Sequence, residues 1–145
     1  MRQVPALLIL LCVACTAPSV SDSFIKAGDV ADGVYGFEAD MSDTLSTWSI
    51  SLYTRLDAPR KKLGACTDIP LEFEMVSPSG AVYADTLAIP LSLKGDSRWG
   101  ATADFPVGEG LVPVEAGVWK LNLKPLADVP GFRGLGFVLK RNGTR

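Results

Sequence analysis

Residues 70–99, PLEFEMVSPSGAVYADTLAIPLSLKGDSRW, admit few folds. Leu71, Phe73 and Met75 alternate with Glu72 and Glu74, a period of two that puts three apolar side chains on one face of a strand. Ser77-Pro78-Ser79-Gly80 then turns the chain, Pro78 supplying the preset φ of a second turn position and Gly80 suiting the fourth. The chain returns with Leu87, Ile89, Leu91 and Leu93 alternating against Ala88, Pro90, Ser92 and Lys94. Pro90 cannot donate to a ladder, which places the return strand at an edge or bends it. A hairpin with one apolar face does not stand alone in water, so the remaining chain must supply a facing sheet.

It does so in short pieces. Val34 to Phe37 is a brief strand candidate. Over 47–56, Trp48, Ile50, Leu52 and Leu56 share one face, and Ser49, Ser51, Tyr53 and Arg55 the other, with Asp57-Ala58-Pro59 ending the run. Arg60-Lys61-Lys62 reads as a solvated basic loop. Phe105-Pro106-Val107 and Leu111 to Val114 are broken by Gly and Pro and read as short or irregular strands. Trp119, Leu121 and Leu123 alternate after a turn at Gly117, and Leu135, Phe137 and Leu139 form a last alternating strand beyond the turn at Val129-Pro130-Gly131. About seven short strands without a helix-period segment spell an all-β chain, an antiparallel β-sandwich.

The amino terminus is of another kind. Met1-Arg2-Gln3 is followed by an apolar run, Val4 to Val13, about ten residues where a membrane span needs ~20. This is the layout of a secretory signal. It ends in Val13-Ala14-Cys15, which resembles a bacterial lipobox, with Cys12 where such boxes usually carry leucine. The expected organisation is a lipoprotein signal peptide over 1–14, an acylated Cys15 and flexible tether over 15–28, a β-sandwich over 29–141 and a polar tail over 142–145. Acyl chains on Cys15 would make the membrane a permanent partner, since each buried methylene contributes ~0.8 kcal/mol. No run of acids follows Cys15, Asp22 coming late, which favours a periplasm-facing anchor in a bacterial envelope over the cell surface.

Composition bears on function mainly through an absence. The chain has no histidine, which removes Ser-His and Cys-His activation and most zinc chemistry. Its 14 basic and 16 acidic residues are scattered, with no basic stripe for nucleic acid. The aspartates at 29, 32, 40 and 43 lack EF-hand spacing and read as turn caps, so no metal and no cofactor is implied. Cys66, the thiol left once Cys12 is removed and Cys15 acylated, has no neighbouring base and reads as a small apolar filler. Glu72 and Glu74 share one strand face and read as its wet side rather than as a glycosidase pair. Trp48 and Trp119 are in phase with core residues, whereas Trp99 has no periodic neighbours and is a candidate binding surface for sugar or peptide. The expectation is a protein that is not an enzyme.

The ordered strands resemble the GldH family of gliding-motility lipoproteins. The residues that carry the likeness are Trp48 to Arg55, Pro78-Ser79-Gly80, Asp85 to Leu91, Trp99-Gly100, Gly117 to Leu121 and Pro130 to Phe137, spread over Phe37 to Lys140. The connection Lys61 to Asp68 and the residue Val138 depart from the family pattern. The resemblance implies an envelope lipoprotein, without catalytic residues or cofactor, that serves as an accessory or assembly component of a gliding apparatus and its linked secretion machinery. Its partners would be other envelope proteins of that apparatus. It also implies candidate O-glycosylation at Thr44 and Thr86, in Asp43-Thr44-Leu45 and Asp85-Thr86-Leu87. The alternative is an envelope-anchored carbohydrate- or peptide-binding β-sandwich module.

Overall fold

A computed structural model describes residues 19–91 and 99–144, with the side chains of Trp99, Gly100 and Ala101 outside the description. The strands are β1 (Val20–Lys26), β2 (Tyr35–Asp40), β3 (Ser46–Pro59), β4 (Asp68–Val76), β5 (Val82–Pro90), β6 (Trp99–Leu111), β7 (Val118–Pro125) and β8 (Phe132–Thr144). A 3₁₀ turn, Ala27–Asp29, follows β1, and a single helical turn, α1 (Arg60–Leu63), follows β3. Two four-stranded sheets, in the orders β1-β8-β3-β6 and β2-β7-β4-β5, are antiparallel throughout. The chain is an all-β sandwich of eight strands.

The period-two faces become the core. Ile50, Leu52 and Leu56 of β3, with Leu135, Phe137 and Leu139 of β8, are buried against Phe37, Leu71, Leu121 and Leu123 of the other sheet. Phe37 and Phe137 stack across the interior with ring centroids 5.5 Å apart, one ring from each sheet. Thr54 sits on the same buried face, and its hydroxyl donates to the carbonyl of Gly134 at 2.7 Å, which satisfies a polar group that the interior would otherwise penalise.

The β4–β5 hairpin has the expected turn. Gly80 N–H donates to the Ser77 carbonyl at 2.9 Å, Ser77 N–H to Ala81 at 2.8 Å, and Gly80 takes φ 93°, closing a three-residue loop on a bulge. β5 is the sheet's outer strand, where the missing N–H of Pro90 is tolerated.

Four boundaries differ from the sequence expectation. Val20–Lys26, inside the span assigned to a tether, is a strand paired with β8 from Val20↔Lys140 to Lys26↔Gly134. It is largely exposed and has no apolar alternation, so backbone pairing holds it. At the other terminus β8 continues through Asn142 to Thr144, into the span expected as a polar tail, and Asn142 Nδ2 donates to Ser49 Oγ at 2.9 Å. β3 passes Asp57 to end at Pro59 with Ala58 buried, and Arg60–Leu63 forms the helical turn, burying Leu63. β6 is one strand of 13 residues across Pro106, an edge strand whose register shifts against β3 absorb the irregularity.

Candidate binding face

The outer surface of the β1-β8-β3-β6 sheet carries a grouping of aromatic and charged side chains. Alternation along β3 sends Tyr53 and Arg55 outward while Leu52, Thr54 and Leu56 go to the core. Tyr53 lies opposite Gly136 of β8, and a methyl group at Gly136 would overlap the phenol ring. The glycine therefore lets the ring lie flat on the sheet. Phe24 of β1 stacks on its far side, centroids 5.7 Å apart and planes 23° apart. The Tyr53 hydroxyl donates to Asp22 Oδ1 at 2.8 Å. Partial burial, then the hydrogen bond to Asp22, pushes the phenol above its ordinary value, so it acts as a neutral donor.

Around this pair runs an open depression of about 540 Å³, lined by Asp22, Phe24, Tyr53, Arg55, Thr102, Asp104 and Val138. A second, of about 420 Å³, shares Phe24 and Arg55 and extends past Lys26 and Asp29 to Phe132 and Arg133. Ring faces flanked by carboxylates and guanidinium groups suit stacking against a sugar ring or gripping an extended peptide. The grouping has hydrogen-bonding capacity on both sides of the rings.

Of the residues singled out in the sequence, none is described on this face. Cys15 is outside the described residues. Trp99 opens β6 and pairs through its backbone with Pro59, but its side chain is outside the description. Thr44 is exposed in the β2–β3 turn. Thr86 is exposed on the edge strand β5, beside Asp85, whose Oδ1 accepts the Thr86 N–H at 2.7 Å. Trp48 and Trp119 are buried, as their phase requires. Glu72 is exposed opposite Lys124, and Glu74 accepts from Asn122 Nδ2 at 2.9 Å, so both serve the outer side of the other sheet. Among the described residues no three His, Cys, Asp or Glu side chains gather as metal ligands.

Sequence reasoning missed the Phe24–Tyr53 face because half of it belongs to β1. The available signal was Gly134-Leu135-Gly136, alternate glycines in an otherwise apolar strand, which mark a place where another group approaches closely.

No protein-family model and no curated protein sequence matches this chain. Among solved structures it is similar to the Clostridium perfringens CspB protease, at 12% identity and a TM-score of 0.39, over 85% of this chain and 25% of that one. The chain thus spans about a quarter of that protein's length, and a likeness at this level says nothing about activity.

Proposed function

We propose that this chain is a lipid-anchored, non-enzymatic envelope protein that works by contact, an accessory or assembly component of the gliding and secretion machinery to which its sequence resemblance points. The observation that carries the anchor is Val13-Ala14-Cys15 at the end of an apolar run, five positions before the first residue of β1. A folded domain starting so soon after the cysteine is held close to the membrane. The resemblance rests on the residues quoted above and gives the reading its partners, other envelope proteins of the apparatus. On this reading Thr44 and Thr86, both exposed, are its candidate O-glycan acceptors. The test is palmitate labelling and crosslinked pull-down from native membranes, comparing wild type with Cys15→Ala. Label and motility or secretion components on wild type alone support it; an unlabelled wild type sinks the anchor, and a labelled one without such partners sinks the accessory role.

A second reading is a carbohydrate- or peptide-binding module, favoured by the Phe24–Tyr53 face with Asp22, Arg55 and Asp104 around it. Glycan and peptide arrays read with wild type and Tyr53→Ala decide it. Binding lost in the variant supports a ligand site on this face, and no binding by wild type removes that reading.

A further inference from the structure

The two ends of the sandwich differ in what they show to solvent. One end gathers the start of β1, the β2–β3 and β4–β5 turns, the β6–β7 loop and the finish of β8. Met41 and Gly117 exchange backbone hydrogen bonds between two of these segments, and Glu115 ties the β6–β7 loop to Ser77 and Ser79 of the hairpin turn. Nine large apolar side chains are exposed among the described residues, and seven of them lie at this end: Val20, Leu45, Val82, Tyr83, Val112, Val114 and Val118. Val114 and Leu45, at loop tips, are 75% and 69% exposed. The opposite end carries the other two, Val34 and Leu126, among exposed Asp29, Asp32, Lys61, Lys62, Asp128 and Arg133.

Three acids at the apolar end, Asp40, Asp43 and Glu115, are turned into their own loops, while Glu38 is exposed opposite Lys120. Asp43 accepts from Leu45 N–H at 2.9 Å and Ser46 Oγ at 2.7 Å, and Arg141 lies 3.5 Å away. Asp40 accepts from Ser42, and Glu115 from Ser77 and Ser79. Glu109, exposed near the finish of β6, stands on the flank.

This is also the end from which the chain runs back to its amino terminus. The Ser19 carbonyl accepts from Arg141 N–H at 2.8 Å, and Ser19 lies four residues beyond Cys15. Four residues reach at most about 14 Å. The interfacial layer of one leaflet is itself roughly 5–7 Å thick. An acylated Cys15 cannot hold the domain far above that layer.

We propose that this apolar end rests on the lipid bilayer, with Leu45, Val112 and Val114 inserted at the interface and the charged end directed away from the membrane. The inference rests on the anchored reading of Cys15. A concentration of exposed apolar side chains at one end marks a contact site, and the short reach from the anchor makes the occupant lipid. The contact is more apolar than ionic: among the described residues the basic groups at this end are Lys120, Lys140 and Arg141, with Arg141 beside Asp43, too few for strong attraction to anionic headgroups.

The experiment uses the full chain, processed in cells and reconstituted into phosphatidylethanolamine–phosphatidylglycerol vesicles. Single cysteines are placed at Val114→Cys, Leu45→Cys and Leu126→Cys in a Cys66→Ala background and labelled with an environment-sensitive fluorophore. Lipid-borne nitroxide should quench positions 114 and 45 about three-fold or more above position 126, and raising the salt should not reverse this. The two anchor-end positions keep the test readable if one variant fails to fold. Vesicle-bound protein with all three positions equally unquenched overturns the docking while leaving the anchor intact. Protein that does not float with vesicles overturns both. Positions 114 and 45 shielded from aqueous quencher yet untouched by lipid nitroxide overturn the lipid contact in favour of a second protein surface.

Discussion

The phenol ring of Tyr53 lies flat on Gly136, its directly opposite neighbour in the β3–β8 ladder. The contact leaves no room for a side chain on β8, and it fixes the ring where Phe24 and Asp22 meet it. Gly136→Ala should therefore cost about 1–3 kcal/mol, the usual range for overpacking. Urea unfolding measures it. Because the clash is with one ring, Tyr53→Ala in the Gly136→Ala background should recover part of the loss, and a double-mutant cycle that shows no coupling refutes the contact.

The two buried tryptophans make an internal comparison. Trp119 Nε1 donates to the Glu115 carbonyl at 3.0 Å, whereas Trp48 Nε1 is buried without a hydrogen-bond partner. Both substitutions to Phe shrink the side chain similarly, but Trp119→Phe also orphans an acceptor. It should destabilise by about 1 kcal/mol more than Trp48→Phe. Equal losses in thermal or urea denaturation contradict this.

Thr54 offers a cleaner deletion of one hydrogen bond. Thr54→Val preserves shape and removes the hydroxyl that donates to Gly134. The expected cost is about 1 kcal/mol, and more if the carbonyl finds no other donor. A stabilised variant shows that Gly134 is satisfied by the ladder alone.

Acid should loosen the apolar end first. The Ser79 hydroxyl, with Ser79 N–H and the Ser77 hydroxyl, holds Glu115 below its ordinary value of 4.5, and the Ser46 hydroxyl, Leu45 N–H and the Arg141 charge hold Asp43 below 3.8. Depressed carboxylates contribute stability that is present above the unfolded values and lost as pH falls through the lower folded ones. Unfolding midpoints should hold steady above about pH 5 and decline below it. Glu115→Gln should shallow that decline, and an identical acid limb in the variant removes Glu115 from the linkage.

Sequence period carried most of this fold and little of its surface. Trp48, Ile50 and Leu52, then Leu71 and Phe73, then Leu121 and Leu123 announce strands because one side of each is buried. Pro78 and Gly80 announce the turn through backbone geometry alone. β1 announces nothing, since its seven residues are held by main-chain pairing and its side chains are mostly in water. The Asn142 end of β8 is silent for the same reason. With β1 hidden, Asp22 and Phe24 had no address, and Tyr53 read as one more polar-face residue of β3. The aromatic face is a product of which strands become neighbours, a long-range choice that no local window contains.

The position of β8 bears on when this protein can fold. The last strand described, β8, lies between β1, the first described, and β3. Until its 13 residues emerge, β1 has no partner and β3 is missing one of its two. Closure of this sheet thus waits for β8, and contacts between such distant segments form slowly. The sheet β2-β7-β4-β5 and the β3–β6 pair need no part of β8, so one half of the sandwich can assemble while the other is still incomplete.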